Sequence, residues 1–217
     1  MIRLRHPVTH EAIIRPYTPI SETSRPGELD VLIKLYLTTS PANPAAGKMS
    51  KAMSELPLTH PVEIKGPIGK FTYLGNGACD IRGQRRHVTR FIMICAGSGI
   101  TPIFQVFRAV MRDPHDPTHC TVLNGNRLPE DILCRNDLDA LMQGNKHKAQ
   151  IIYTLTRPHA DWEGARGRID NELVARYCQR DREGEGMVLV CGPEALERNV
   201  HVALRELGWR DEDVLFF

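Results

Sequence analysis

The sequence predicts an antiparallel, incomplete β-barrel over residues 1–88, followed by an α/β parallel-sheet domain over residues 89–217. Up to about Arg90, short alternating apolar and polar runs are divided by Pro and Gly turns, the pattern of antiparallel strands. From Phe91 the period changes, and continuous apolar runs lead through Gly-containing turns into segments with apolar residues at helical spacing. That strand–turn–helix unit returns along the rest of the chain, which is how a parallel sheet is built.

Met1–Arg5, Ala12–Tyr17, Leu29–Leu37 (LDVLIKLYL), Val62–Lys65 and Lys70–Leu74 read as the strands of the first domain. Because the alternation begins at Met1 with no lead-in, the chain is expected to start inside a domain. One helix interrupts the strands, from Lys48 to Leu56, with Met49, Ala52, Met53 and Leu56 on one face and Pro57 as its stop. The stretch Arg82–Arg90 (RGQRRHVTR) reads as a polar hairpin or connector, with Arg85, Arg86 and Arg90 as a solvated face. In the second domain, FIMIC at 91–95 leads through AGSGITP to a helix carrying Ile103, Phe104, Phe107, Val110 and Met111. Cys120–Asn126 with a helix at Arg135–Met142, Gln150–Leu155 with Asp170–Tyr177, and Met187–Val190 with Pro193–Leu207 repeat the unit before the apolar tail in Asp213–Phe217.

Composition excludes several function classes. A formal charge of only +2 leaves no nucleic-acid footprint and no surface built for acidic lipid. The six cysteines form no CxxC pair, and the nine histidines show no ligand spacing, so neither a zinc site nor a disulfide framework is expected. Free thiols suit a reducing, cytoplasmic compartment. No apolar run reaches the roughly 18 residues of a membrane span, so the chain is expected to be soluble.

The chemistry-bearing stretches lie at strand ends. Arg15-Pro-Tyr-Thr-Pro-Ile-Ser21 gathers a cation, an aromatic ring and hydroxyls, a set that suits a flavin: Arg15 for a pyrophosphate, Tyr17 for the ring face, Thr18 and Ser21 for ring or ribityl oxygens. The same stretch also reads as an edge strand stopping at a Pro turn. Gly47-Lys48-Met49-Ser50 opens the lone barrel helix, whose free N–H groups suit an anion; a plain Gly turn is the alternative. Ala96-Gly-Ser-Gly-Ile-Thr-Pro102 lies between a buried strand and a helix, where small residues let phosphate approach the backbone. Pro102 stands where GxGxxG would have its third glycine. Cys191-Gly192-Pro193 repeats that geometry, placing a thiol at the same sheet edge.

In their order along the chain, RPYTPIS, GKMS, GPIGKF (Gly66–Phe71), AGSGITP, Asn126–Leu133 and CGPEAL (Cys191–Leu196) resemble the ferredoxin-reductase-like superfamily. The resemblance spans nearly the whole chain and is closest to the cytochrome b5 reductase branch, within it to the C-terminal flavin module of assimilatory nitrate reductase. The ending WRDEDVLFF is similar to that of the fungal type. The resemblance implies an antiparallel Greek-key barrel that binds FAD and an α/β domain that binds NAD(P)H. It implies that Arg15, Tyr17, Thr18, Ser21, Gly47, Lys48, Met49 and Ser50 hold FAD. It further implies that Gly97, Gly99, Thr101 and Pro102 line the nicotinamide side, with Cys191, Gly192 and Pro193 beside the ring, Lys34 near the pyridine nucleotide and Phe217 close to the flavin. Tyr17, Thr101 and Cys191 are the residues expected to touch the reacting rings.

The sequence departs from this family at two places. Members carry barrel strands ahead of the one that begins here at Met1, so part of the flavin domain is expected to be missing from this chain, which puts flavin affinity in question. Thr156-Arg157 stands where NADH-using members have an Asp; loss of that carboxylate removes a repulsion of a ribose 2′-phosphate, and Arg157 and Arg127 beside Asn126 supply positive charge. NADPH preference or dual use is therefore expected. The resemblance also implies single-electron delivery to a b-type haem domain in the same full-length polypeptide, with a molybdenum centre beyond it, in an enzyme that forms a homodimer. The competing expectations are a free-standing haem-protein reductase and a non-catalytic nucleotide-binding module that has lost its flavin.

Overall fold

In the computed structural model, residues 1–5, 11–22, 26–36, 47–180 and 185–217 are described. The chain divides into two compact units, Met1–Gly69 and Lys70–Phe217.

In the first unit, β1 (Ile2–Arg5) lies between β2 (Ala12–Arg15) and β3 (Glu63–Ile64) in an antiparallel sheet. Helix α1 (Lys48–Ser54) is apolar on one side, and its Met49 and Ala52 close over Ile2, Leu4 and Ile13 to form a small core. Tyr17, Val31, Met53 and Leu56 pack around that core. The expected strand Leu29–Leu37 does not form over residues 29–36: Val31 makes one bridge to Pro19, and Ile20 N–H donates to Asp30 O. Leu37 lies outside the described residues. Apolar alternation alone needs a continuous ladder to become a strand, and beside residues 17–21 this segment makes a single bridge rather than a ladder.

The second unit begins with the antiparallel meander β4 (Phe71–Gly75), β5 (Ala78–Ile81) and β6 (Gln84–His87). Both residues between β5 and β6, Arg82 and Gly83, are left-handed, with φ of 54° and 84°, the paired positive φ of a type I′ hairpin turn. The expected polar hairpin is thus the second half of this meander.

Beyond it comes a parallel sheet in the order β10–β9–β8–β7–β11–β12. Its strands are β7 (Arg90–Ala96), β8 (His119–Asn126), β9 (Ala149–Leu155), β10 (Ala165–Arg166), β11 (Gly186–Cys191) and β12 (Val214–Phe216). The connecting helices are α2 (Ile100–Arg112), α3 (Arg135–Gln143), α4 (Asn171–Tyr177) and α5 (Glu194–Glu206). Phe91 to Cys95 and Met187 to Val190 are buried throughout, as strands covered on both faces must be. Asp170 caps α4 by accepting from Leu173 N–H at 2.9 Å. The buried Lys148 ammonium caps α2 from outside, donating to the carbonyls of Val110, Asp113 and Asp116 at 3.1, 3.1 and 2.8 Å.

The solvated face expected at Arg85, Arg86 and Arg90 is corrected at two of its members. Arg86 bonds the Asp213 carboxylate at 2.7 Å, and Arg90 donates to Gln179 O at 2.8 Å. Asp213 has a side chain only 1% exposed, and Arg180 and Arg210 reach it too, at 3.4 and 2.9 Å. The ionised carboxylate ties β6 and the segment after α4 to the start of β12. Burial pulls this carboxyl upward, but the hydrogen bonds from Arg210 and Arg86 outweigh it and hold Asp213 below its ordinary range. A similar buried node joins β4 to the loop before β8: Tyr73 OH donates to Asp116 at 2.5 Å, beside Thr118.

Candidate functional site

The candidate residues fall into one group in the first unit and two in the second. In the first unit, β2 delivers Arg15 at its end, and Pro16 then turns the chain through Tyr17 and Thr18 to Ser21. Arg15 is exposed, with its guanidinium on Ile14 O at 2.8 Å. Tyr17 is half-buried against the small core; burial raises its phenol above the usual range, and the Arg15 charge partly opposes this. Helix α1 lies in the same unit, its Met49 and Ala52 in the small core against which Tyr17 packs. Gly47 has φ of 90°, and a Cβ there would lie 2.2 Å from Tyr36 O, so only glycine fits. No side chain caps the helix, which leaves the N–H groups of Lys48, Met49 and Ser50 without intrahelical acceptors. Ser50 Oγ donates to Lys34 O at 3.4 Å, bringing these two candidates together, while Lys48 pairs with Glu11 at 3.2 Å. Met49 is a core residue.

In the second unit the sheet order reverses between β7 and β11, with β8 on one side of β7 and β11 on the other. Ligand crevices of open α/β sheets form at such a point, outside the carboxyl ends of the strands. Cys95 and Cys191 are paired in register there. Gly97 is left-handed at φ 54°, and a single 3₁₀ turn feeds α2, whose first turn carries no side-chain cap. Thr101 is buried and donates from Oγ1 to Ser98 O at 3.2 Å; Pro102 follows it, buried, in the first turn. A Cβ on Gly99 would stand 2.1 Å from Cys191 O, so the two Gly turns touch. Gly192 N–H donates to Glu197 at 3.4 Å, and Pro193 leads into α5. Burial, then the Glu197 charge, pushes the Cys191 thiol up to about 11, so at neutral pH it is a neutral thiol and no nucleophile. Phe217 sits at the same edge: its N–H donates to Val190 O at 3.1 Å, and its ring meets Phe71 edge-on at 6.1 Å.

The last group is at the ends of β8 and β9. Thr156 N–H donates to Asn126 O at 3.1 Å and Arg157 N–H to Arg127 O at 2.8 Å, which sets the four candidates side by side. Arg127, Thr156 and Arg157 are exposed, whereas Asn126 is buried. Asn126 donates to Asn124 at 2.8 Å, yet its own Oδ1 and Asn124 Nδ2 are buried with no partner among the described residues. Two orphaned polar atoms at a strand's end are costly in a finished core and suit a place completed by a polar ligand.

These donor sets fit the groups the sequence implies. Cations, hydroxyls and free N–H groups in the first unit match a flavin pyrophosphate and ring edge. A tight βα turn at the switch point and exposed arginines at the neighbouring strand ends match a pyridine nucleotide. Among the described residues no cluster has the make-up of a metal site, and no helix is long and apolar enough to cross a membrane.

Sequence reading missed the scaffold behind Thr156 and Arg157. Trp162 donates from Nε1 to Ala165 O at 3.0 Å, and the Arg135 guanidinium lies over its ring at 5.5 Å and over the Tyr153 ring at 5.7 Å. Nothing local in the sequence joins residues 135, 153 and 162; the one available signal was Trp162 beside Gly164, where a Cβ would strike the indole at 2.6 Å.

Comparison with known proteins agrees with both halves. The model of the oxidoreductase FAD-binding domain matches residues 1–73, and that of the oxidoreductase NAD-binding domain matches residues 93–202. A nitrate reductase [NADPH] of Leptosphaeria maculans is 56% identical over 100% of this chain, and one of Aspergillus niger is 49% identical over 100%. The chain spans 24% and 25% of their respective lengths. Among solved structures, the cytochrome b5 reductase domain of Ulva prolifera nitrate reductase superimposes with a TM-score of 0.91 at 32% identity, covering 100% of this chain and 82% of that one.

Proposed function

The chain belongs to the oxidoreductases that join an FAD-binding to an NAD-binding domain, in the family of the nitrate reductase cytochrome b5 reductase domain, and on that premise we propose that it is the electron-entry module of an assimilatory nitrate reductase. It is an NAD(P)H-dependent flavoprotein oxidoreductase. The observation that carries the reading is the contact of the two Gly turns at the switch point, where a Cβ on Gly99 would overlap the Cys191 carbonyl. When bound, FAD would supply the redox chemistry, the acceptance of a hydride from reduced nicotinamide and the release of single electrons.

The chain's own residues would position and shield, since hydride transfer requires neither a general base nor a covalent nucleophile from the protein. Arg15, Tyr17, Thr18 and Ser21 with Gly47, Lys48, Met49 and Ser50 would hold the flavin, and Lys34, whose carbonyl meets Ser50, is assigned to the pyridine nucleotide by the family resemblance alone. Gly97, Gly99, Thr101, Pro102, Gly192 and Pro193 give the nucleotide backbone a close approach. Tyr17 would lie against the flavin ring, Thr101 and Cys191 would border the nicotinamide, and Phe217 is the family's flavin-side terminus. The neutral Cys191 thiol tunes ring placement. Asn126, Arg127, Thr156 and Arg157 favour NADPH; the absence of a carboxylate and two exposed guanidinium groups support this. The flavin domain covers residues 1–88 and the nucleotide domain 89–217, a boundary within the stretch that the two family models leave unmatched.

The acceptor is a b-type haem domain of the same polypeptide, in a cytoplasmic, dimeric enzyme. Support for further domains in the same polypeptide comes from the relatives, nitrate reductases about four times as long as this chain. Purification after FAD reconstitution tests the reading: a yellow protein that bleaches with NADPH and reduces a b-type haem protein is expected. A protein that remains colourless, prepared also with additional N-terminal strands, overturns it.

A further inference from the structure

Between β9 and β10 the chain makes a loop, residues 156–164, whose conformation is fixed from several directions. One terminal nitrogen of Arg166 donates to Trp162 O at 2.8 Å, Ala160 O at 3.2 Å and His159 O at 3.4 Å. Trp162 closes the loop on itself: its N–H donates to His159 O at 3.2 Å, its indole to Ala165 O at 3.0 Å, and its ring folds over Gly164. Arg135 at the start of α3 then lies over both the Trp162 ring and the Tyr153 ring of β9, and pairs with Asp139, which accepts from Tyr153 OH. A polar surface loop needs none of this to connect two strands. The strand register is already closed by Ala165 beside Thr154 and by Gly167 N–H on Leu155 O.

The loop's root carries Thr156 and Arg157, and opposite it the chain leaving β8 carries Arg127. We propose that Trp162, Arg166 and Arg135 are positioning residues for coenzyme selectivity: they hold the 156–164 loop in a preformed shape so that Arg157 faces Arg127 across the place of the adenosine 2′-phosphate. This rests on the NADPH reading of Thr156 and Arg157 above. A guanidinium ordered before binding spares the ligand the cost of ordering it, and that saving applies only to a ligand bearing the extra phosphate. The exposed cations are thereby made selective by apolar and backbone contacts behind them.

Calorimetric titration of the purified protein with adenosine 2′,5′-bisphosphate and with 5′-AMP reads this without the redox reaction. In wild type the bisphosphate binds more tightly. Trp162→Leu should cut that preference about tenfold, and Arg166→Met about fivefold, with 5′-AMP affinity changed less than about twofold. Arg166→Lys, which keeps one donor at an exposed position, restores part of it. In steady-state assays the KM for NADPH rises in Trp162→Leu while kcat and the KM for NADH hold. If Arg157→Ala loses the preference but Trp162→Leu and Arg166→Met keep it, the positioning role is overturned and the coenzyme reading stands. If Arg157→Ala keeps the preference, the coenzyme reading falls and takes the positioning role with it.

Discussion

Replacing Asp213 with Asn removes one charge from the node that fastens β12 to the rest of its unit, and leaves the shape of the side chain almost unchanged. The carboxylate is 1% exposed and accepts from Arg86, Arg180 and Arg210, the first two only 26% and 29% exposed. Breaking a buried ion pair by removing one partner costs about 3–5 kcal/mol. The arginines here still reach water, so roughly 2–4 kcal/mol is expected, about 5–15 °C in the midpoint of a unit of this size. Urea or thermal unfolding of wild type and Asp213→Asn across pH measures it. Because the folded carboxyl is held below its ordinary value, its contribution is complete above about pH 3.9 and fades as pH falls through the lower folded value. The gap between the two proteins therefore closes in acid. A loss under about 1 kcal/mol at neutral pH, or a gap that persists at the acid end, refutes the reasoning. Asp211→Asn is the control: its carboxyl is held down to about 2 by hydrogen bonds from Arg205 and His201, but the pairs are exposed, so the midpoint should hardly move.

Gly99→Ala sets a methyl group 2.1 Å from Cys191 O, with backbone on both sides, and should cost about 1–3 kcal/mol in unfolding experiments together with weaker nucleotide binding; unchanged affinity would remove the switch-point contact from the site. Cys191→Ser should lower kcat far more than it alters FAD content, measured by flavin absorbance per protein, and complete loss of flavin would refute its place beside the nicotinamide. At neutral pH the Cys191 thiol should also alkylate slowly, since it stays protonated up to about 11. Thr156→Asp should shift kcat/KM from NADPH toward NADH by about tenfold or more through like-charge repulsion; an unchanged ratio, in a protein that already prefers NADH, would sink the assignment.

Much of the nucleotide domain was legible because its signals are local. Five apolar residues at helical spacing announced α2, and the buried runs FIMIC and MVLV can only be strands covered on both faces. The Gly turns after β7 and β11 were readable as strand-to-helix turns from their order alone, and the parallel pairing of Cys95 with Cys191 brings them together. What escaped depends on partners distant in sequence. Leu29–Leu37 alternates like a strand but has no ladder through residue 36. β5 carries Cys79, Asp80 and little apolar alternation, although Asn76-Gly77 before it is a strong turn signal. Arg86 and Arg90 looked solvated because a sequence displays a charge without its counter-group, which for Arg86 lies at Asp213. Strand β10 holds only two residues and exists by virtue of its pairing with Thr154 and Leu155.

The neighbours of β7 differ greatly in when they become available to it. β8 follows after one helix and can join during early collapse, whereas β11 arrives only once residues 120–185 have been laid down and their loop closed. Closing so long a loop is slow, and the crevice at Gly97 and Gly192 does not exist until it is done. Any ligand that binds only this finished crevice draws the folding equilibrium toward the closed sheet, by about 2.7 kcal/mol at a hundredfold excess over Kd.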